Sequence, residues 1–562
     1  MLYSIILLTV NFVYSWFNVW SLSYLGIFYC AFFNLLVSIF FSWWDLYSIW
    51  FYNIVIDYSG FTWAELGNNI IIYFNMRFDF FGAVLSCVML SGALFVITFV
   101  MIDMWDDKEG ASFIINLGFF LIFMLLMTNA GNIVVFYLGW EGIALTSLFL
   151  VNFWSERVRS IKAAFKVFII NKVGDFFFLL LITLLLGALG DVNFDVINSN
   201  MYLFLNNYFR LGSVEVPFVE LLGVILVFAS CVKSAQIGFH IWLLEAMEAP
   251  LGASALMHSS TLVVAGLVLV FKLNTILELS VYCQVLMYTL GVLSATLGSL
   301  IACFQYELKV IMAYSTLSNM GYLFTLCAVG SYDALIFVMV VHAYIKIFLF
   351  LVVGGIILHC NGTQDIRWMG GLMLYIPSLF VAYVAGGICL VGLPYWSGYY
   401  CKFYILKSIF SNSILLNGGN YILLISYILT FFYVFRLGYM VFLNSKNGHR
   451  RIYRVKPTSL LYIYDLVFLG LIILFTSAIW INLVDTNYNF FGSGLVINTL
   501  NKLSIFYFDL NYTSLYLWLL TYFIISIFVF IWFVIINNFS WNFLKYWCIN
   551  FFIFIVLFVY FI

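Results

Sequence analysis

The sequence predicts an all-α polytopic membrane protein of about fifteen to sixteen transmembrane helices. Three observations carry that expectation. Apolar runs of spanning length recur from end to end, 65% of the 562 residues are hydrophobic and only 8% charged, and the bases between runs fall mainly in alternate loops. A soluble domain has about 25% charged residues, so this chain cannot build a water-facing shell. In lipid it has only to be divided into spans of about 20 apolar residues each.

The spans fall near 2–20, 22–43, 78–102, 111–128, 131–152, 161–189, 219–244 and 250–273. Eight more fall near 281–303, 308–329, 333–358, 375–410, 420–443, 458–483, 513–536 and 541–562. The runs are continuous rather than alternating, which argues against strands and a membrane barrel. Loops after odd-numbered spans hold Lys108, Arg157, Arg159, Lys309, Arg367 and the cluster Lys446, Arg450, Arg451, Arg454 and Lys456. Loops after even-numbered spans hold mainly Asp45, Asp57, Glu65, Asp191, Asp195 and Asp485. Basic loops stay on the cytoplasmic or matrix side, so the odd loops are expected there and the N-terminus opposite. The 446–456 cluster reads as a topology determinant rather than a lipid- or partner-binding patch.

A net charge of −1 gives no reason to expect a nucleic-acid partner. The 10 cysteines include no C-x-x-C pair and sit mostly within apolar runs, so a disulfide framework or metal cluster is not expected. The N-terminus enters an apolar run directly, with no basic or Arg/Ser-rich leader. The 63 Phe and 38 Tyr are an excess that AT-rich codons produce. Both points fit a protein made inside an organelle.

Within the spans stand Glu141, Lys172, Asp175, Lys233, His240, His258, His342, Lys346 and Lys402. A charge at mid-bilayer costs about 2.5–3.5 kcal/mol or more, and such residues persist when they pair, face internal water or work. One isolated histidine would read as a packing residue. Nine ionisable groups, three of them mid-span lysines, point to a connected polar path. His342 and Lys346 are four apart and share a helix face. Lys172 and Asp175 are three apart and can pair across a turn. Lys233 and His240 are seven apart, two turns along the same face. Two charges at ~4 Å interact by ~4 kcal/mol at an effective dielectric of 20. Moving one charge against 100 mV costs about 2.3 kcal/mol. Making and breaking one pair could thus offset a potential on the order of 170 mV.

Two of the five prolines, Pro250 and Pro394, lie near the buried lysines. Breaks of this kind are tolerated inside a membrane where they line a cavity or ion site. Spans 7 and 12 are five crossings apart, run in opposite directions, and each carries a lysine, Lys233 and Lys402. That pattern is expected of an inverted repeat. The chain is therefore divided into N-terminal spans (1–110), a first five-helix repeat (111–273), a second, inverted repeat (274–443) and C-terminal spans (444–562).

At this point the residues resemble a known family. The stretch KSAQIGFHIWLLEAMEAPLGASALMHSSTLVVAGLVLV (233–270) resembles the core of the chain 5 family of NADH-ubiquinone oxidoreductase, respiratory complex I. So do GWEGIALTSLFLVNFW (139–154), NKVGDFFF (171–178), ELKVIMAYSTLSNMGY (307–322), HAYIKIFLFL (342–351) and DIRWMGGL (365–372). The resemblance runs in order over about residues 78–440. It implies an antiporter-like proton channel in the membrane arm, in which Glu141 pairs with Lys233 and Asp175 lies close by. Protons then pass His258, His342 and Lys346 towards Lys402. His240, Lys309 and Lys172 are implied as secondary members, Lys309 being equally readable as an interfacial snorkelling lysine. The resemblance further implies a multi-pass protein of the mitochondrial inner membrane, encoded in the organelle, with no cofactor of its own. Other membrane-arm subunits, first the chain 4 homologue, are its implied partners, together with lipids such as cardiolipin.

The chain departs from the family's pattern in four places. Phe403 stands where an acid usually follows the span 12 lysine, and Val338 where a histidine often precedes His342 by one turn. A proline-rich segment is reduced to Pro250. After residue 536 there is room for one span, so the family's long lateral helix is expected to be missing or supplied by another polypeptide. The alternative is a subunit of an Mrp-type cation/proton antiporter, and a third reading is a purely structural membrane scaffold. Five scattered histidines and the lack of a G-x-G-x-x-G after a strand exclude a haem-copper oxidase and a dinucleotide site.

Overall fold

The computed structural model describes residues 2–19, 21, 23–52, 54–66, 70–107, 109–211, 214–393, 396–411, 417–448, 463 and 465–473. Two helices, α1 (Leu2–Phe17) and α2 (Tyr24–Tyr52), lead into a hairpin of β1 (Ile56–Leu66) and β2 (Ile70–Phe78). Then come α3 (Phe80–Asp103), α4 (Gly110–Thr128), α5 (Ile133–Val151), α6 (Val158–Leu189) and α7 (Phe194–Asn200). A second hairpin, β3 (Tyr208–Leu211) and β4 (Val214–Pro217), precedes α8 (Phe218–Lys233), α9 (Ile241–Glu245), α10 (Leu251–Ser259), α11 (Leu262–Lys272) and α12 (Asn274–Leu279). The series ends with α13 (Val281–Ala302), α14 (Leu308–Val329), α15 (Tyr332–His359), α16 (Pro377–Val391), α17 (Ser397–Ser411) and α18 (Asn417–Gly438).

Spans 1–13 of the sequence reading each coincide with a helix or an interrupted helix pair. Nine helices among the described residues are long and apolar enough to cross a membrane. Four of the thirteen are missing from the nine, for physical reasons, the first being that α1 has only 16 residues. Span 7 is cut to the 16 residues of α8 and span 12 is split into α16 and α17. Helix α14 is long enough but carries Ser315, Thr316, Ser318, Asn319 and Thr325. Discontinuous helices are found, with breaks at 234–240 in span 7 and at Ser260–Thr261 in span 8 in addition to the one placed at Pro250. Segments beyond 473, including the two last spans and the expected absence of a lateral helix, lie outside the described residues, as do the 450–456 part of the basic cluster and Pro394.

The sequence did not anticipate strands. Both hairpins lie between spans, where backbone groups must pair without a helix. The longer one runs antiparallel from Ile56↔Phe78 to Leu66↔Ile70.

Loop contacts sort by parity. On one side Lys309 lies among Asp103, Arg157 and Glu248, Leu308 N–H donates to the Gln364 carbonyl, and Arg436 donates to the carbonyls of Cys303 and Gln305. All of these follow odd-numbered spans or close span 13. On the other side Lys272 pairs with Asp79 at 3.3 Å and Arg77 pairs with Asp195, residues that flank even-numbered spans. The crossing order is therefore internally consistent through thirteen spans.

At the centre stand α10, α11 and α15. The apolar window of α15 is buried throughout and that of α10–α11 nearly so. A helix apolar on every side belongs in the interior. The glycines of α13 and α14 set a second close contact, because a Cβ on Gly321 would lie 2.4 Å from Ala295 N and 2.6 Å from the Gly291 carbonyl oxygen. Both obstacles are backbone and cannot rotate away. Gly321→Val is therefore expected to cost about 1–3 kcal/mol or more through overpacking, seen as a lower unfolding temperature of the detergent-solubilised protein.

Candidate functional site

The first ionisable cluster joins α5, α6 and α8. Glu141 on α5 accepts a hydrogen bond from the Tyr137 hydroxyl at 2.5 Å and pairs directly with the Lys172 ammonium from α6. Lys172 also reaches Asp175 at 3.2 Å, across one turn of its own helix. Asp175 accepts from the Trp140 indole N–H at 2.7 Å. Trp140 then offers its carbonyl to Lys233 Nζ at 3.4 Å, with its ring 5.0 Å from that ammonium. Gly174 permits this assembly, since a Cβ there would meet Val232 at 2.9 Å, one residue before Lys233.

The geometry corrects one expectation. The partner in contact with Glu141 is Lys172, not Lys233. Lys233 is fully buried and stands within electrostatic reach of both carboxylates without an ion pair. The side chains of Lys172 and Glu141 are 38% and 21% exposed, against 3% for Asp175. The cluster thus spans from the outer face of the helix pair to the interior.

Lys233 is the last residue of α8. Ala235 and Gln236 close the helix by donating to the carbonyls of Val232 and Cys231, with Ala235 at φ 54. This is a left-handed cap of the kind glycine usually occupies. A lysine in the last turn faces the negative end of the helix dipole. Because the chain leaves the helix here, Lys233 and His240 do not share a helix face, contrary to the heptad spacing. His240 precedes α9 outside the α8 helix.

The next break is held by Lys309. Pro250 caps the N-terminal end of α10, and the carbonyls just before it, of Met247 and Ala249, accept from Lys309 Nζ at 3.2 and 2.9 Å. Lys309 is buried, so it is not a snorkelling interfacial lysine. It satisfies a helix end that the bilayer would otherwise leave bare.

His258 lies in the last turn of α10, just before the break at Ser260–Thr261. Both of its ring nitrogens are buried with no hydrogen-bond partner among the described residues. The ring stands 6.1 Å from that of Phe350 on α15, within electrostatic reach of Lys346 and Lys309. On α15, His342 and Lys346 are both buried, and His342 lies beside the Ser259 backbone. Lys346 donates to Ser315 Oγ of α14 at 2.5 Å. Val338, one turn before His342, is a buried apolar residue.

Lys402 on α17 is buried, donates to Thr430 Oγ1 of α18 at 2.7 Å, and lies 4.9 Å from the Tyr427 ring. Gly392, at φ +80, ends α16 where a Cβ would meet Lys402 Cδ at 3.1 Å. Phe403 stacks on Tyr399 at 6.5 Å.

Sequence reasoning missed Trp140, Tyr137, Ser315 and Thr430. Trp140 had one signal, its place beside Glu141 in GWEG. The hydroxyls had none, because helical Ser and Thr ordinarily satisfy the preceding turn. It also missed two buried bases at span ends, Lys272 with Asp79, and Arg436.

Such an array can hold and pass protons. Each lysine can be charged or neutral according to its neighbours, and buried polar groups with open hydrogen-bonding capacity are sites for water.

Comparison with known proteins gives a family match over residues 130–432, to the transmembrane region of the NADH:quinone oxidoreductase/Mrp antiporter family. Similar curated proteins are the NADH-ubiquinone oxidoreductase chain 5 of Paramecium tetraurelia, of Chondrus crispus and of Acanthamoeba castellanii. The first is 36% identical over 395 residues, covering 70% of this chain and 69% of the relative. The second is 34% identical over 402 residues, covering 70% and 60%. The third is 33% identical over 455 residues, covering 80% and 66%. The chain therefore spans about two thirds of the length of these relatives.

Lys309→Met is expected to leave two buried carbonyls short of a donor. A loss of about 1–3 kcal/mol follows, measurable as a lowered unfolding temperature, with Lys309→Arg retaining most of the stability.

Proposed function

Because this chain belongs to the NADH:quinone oxidoreductase/Mrp antiporter family, with the chain 5 subunits of NADH-ubiquinone oxidoreductase among its relatives, we propose that it translocates protons as a membrane subunit of a respiratory NADH:ubiquinone oxidoreductase. It does so in the mitochondrial inner membrane and is encoded in the organelle. The observation that carries this reading is the placement of Lys233. A fully buried ammonium lies near two carboxylates that already share a second lysine.

Two lysines competing for two acids form a switch. With Lys172 on Glu141 and Asp175, the charge on Lys233 is less compensated and its proton is easier to release inward. With Lys172 withdrawn, both acids favour a charged Lys233. The released proton passes His258, His342 and Lys346, which share the central helices, and arrives at Lys402. His240 and Lys309 support this line: Lys309 holds the broken helix that positions His258. One pair made and broken at an effective dielectric of 20 supplies ~4 kcal/mol, more than the ~2.3 kcal/mol of one charge against 100 mV.

The segments 111–273 and 274–443 act as two inverted halves, with interrupted spans 7 and 12 in equivalent places. In this reading the chain carries no redox centre of its own. Electron transfer is the work of other subunits. A neighbouring membrane-arm subunit, the chain 4 homologue, covers the α5–α6 face. A 38%-exposed lysine paired with a glutamate in mid-span needs protein or water beside it rather than acyl chains. Lipids such as cardiolipin occupy the remaining perimeter.

Lys233→Ala in the assembled enzyme is expected to lower NADH-driven proton translocation several-fold, read as dye quenching in membrane vesicles. Translocation unchanged in an assembled complex would return the chain to a scaffold role. Loss of cation/proton exchange without any dependence on NADH would instead identify an Mrp-type antiporter.

A further inference from the structure

The proposed line from Lys346 to Lys402 has a gap. The two lysines stand on α15 and α17, and the acid and histidine expected nearby are Phe403 and Val338. Helix α14 packs against α15, α17 and α18, and what it presents there is a row of hydroxyls rather than ionisable groups. Ser315, Ser318 and Tyr322 are three and four residues apart, so they lie on one face. All three are buried. Ser315 accepts from Lys346 at 2.5 Å and donates to the Met312 carbonyl, and Ser318 donates to the Ser315 carbonyl at 2.9 Å. At the other end the Tyr322 hydroxyl shares a hydrogen bond with Ser426 Oγ of α18 at 2.6 Å. The Tyr322 ring lies 4.8 Å from that of Tyr427. Tyr427 in turn faces the Lys402 ammonium, 4.9 Å from its ring, and Thr430, one turn further on α18, accepts from that ammonium at 2.7 Å.

The geometry points to a hydroxyl relay, Ser315–Ser318–Tyr322–Ser426, with the Tyr427 ring and Thr430 at its end, as the segment that carries protons from Lys346 to Lys402. This deepens the proton-translocating reading of the same site and rests on it.

The chemistry needs no titration of the hydroxyls. The Lys346 ammonium releases one proton to the hydroxyl or water beside it. With water as the carrier between hydroxyls that are not bonded to one another, each oxygen along the row accepts a proton on a lone pair and passes its own hydrogen onward, and Lys402 gains one proton. Every hydroxyl ends with the hydrogen count it began with, after rotating back. Ser315 accepts from Lys346, while its own hydrogen and that of Ser318 rest on the main-chain carbonyls of Met312 and Ser315 and turn towards the next group as the proton passes. The Tyr322 hydroxyl, held by Ser426 in a buried setting, has one oxygen to relay.

The test uses the assembled enzyme in membrane vesicles, comparing protons moved per NADH oxidised. Tyr322→Phe keeps the ring against Tyr427 and removes one oxygen, and Ser426→Ala removes its partner. Lys402→Ala provides the reference for a blocked line. Tyr383→Phe, which removes a buried hydroxyl that donates to the Val434 carbonyl, controls for packing. The expected result is that Tyr322→Phe and Ser426→Ala lower the ratio toward that of Lys402→Ala and enlarge the solvent deuterium isotope effect on translocation, while Tyr383→Phe does neither. The proposal is overturned if Lys402→Ala lowers the ratio and neither relay variant changes ratio or isotope effect. If Lys402→Ala itself leaves the ratio unchanged, the proton-translocating reading fails, and the relay with it. Should Tyr322→Phe fail to assemble, Ser315→Ala with Ser426→Ala gives the same decision.

Discussion

A charge or an open backbone group inside a bundle has no bulk water to turn to, and that single constraint organises the molecule. Lys233 is tolerated because it closes α8, faces the negative end of the helix, and has Trp140 and two carboxylates nearby. Lys172 is tolerated because Glu141 and Asp175 share it. Remove the acids and Lys233 becomes an uncompensated buried charge, which costs several kcal/mol. The buried line is therefore a set of mutually dependent groups rather than a collection of independent ones. Mutual dependence is what a proton-driven switch requires, since changing one protonation state changes the comfort of the next.

The same constraint governs the helix breaks. Interrupting a span frees carbonyls and N–H groups that lipid cannot satisfy. Lys309 answers this before α10, and Arg436 does so at the end of α13, where it donates to Cys303 and Gln305 at 2.7 and 2.6 Å. Basic side chains are thus spent on structure as well as on transport. A buried lysine alone cannot tell the two roles apart. The distinguishing feature is what the ammonium touches: a helix-end carbonyl in the one case, a carboxylate, histidine or hydroxyl in the other.

Much of this was legible in advance. The thirteen described crossings follow from the length of apolar runs, because a helix is the only open structure that satisfies its own backbone in lipid. The ionisable residues stood out because lipid excludes them unless they are used. The Lys172–Asp175 pair was readable from three-residue spacing within one helix. Lys233 and His240 were misread by the same rule, because spacing predicts a shared face only while the helix continues, and Ala235 ends it. Strands were missed because hairpins between spans answer to loop hydrogen bonding, which hydropathy does not register.

By itself the sequence determined the number and order of the crossings up to the described limit, the side on which each loop lies relative to the others, and which side chains are costly enough to need a reason. Composition and run length suffice for these, since the bilayer imposes them one segment at a time. Which lysine takes Glu141, where a span is cut, and which hydroxyls stand between Lys346 and Lys402 were decided only by packing. Those facts depend on which helices lie side by side, with Gly174 letting α6 approach α8 and Gly321 letting α14 approach α13. No local pattern along one chain segment records the neighbour it will meet.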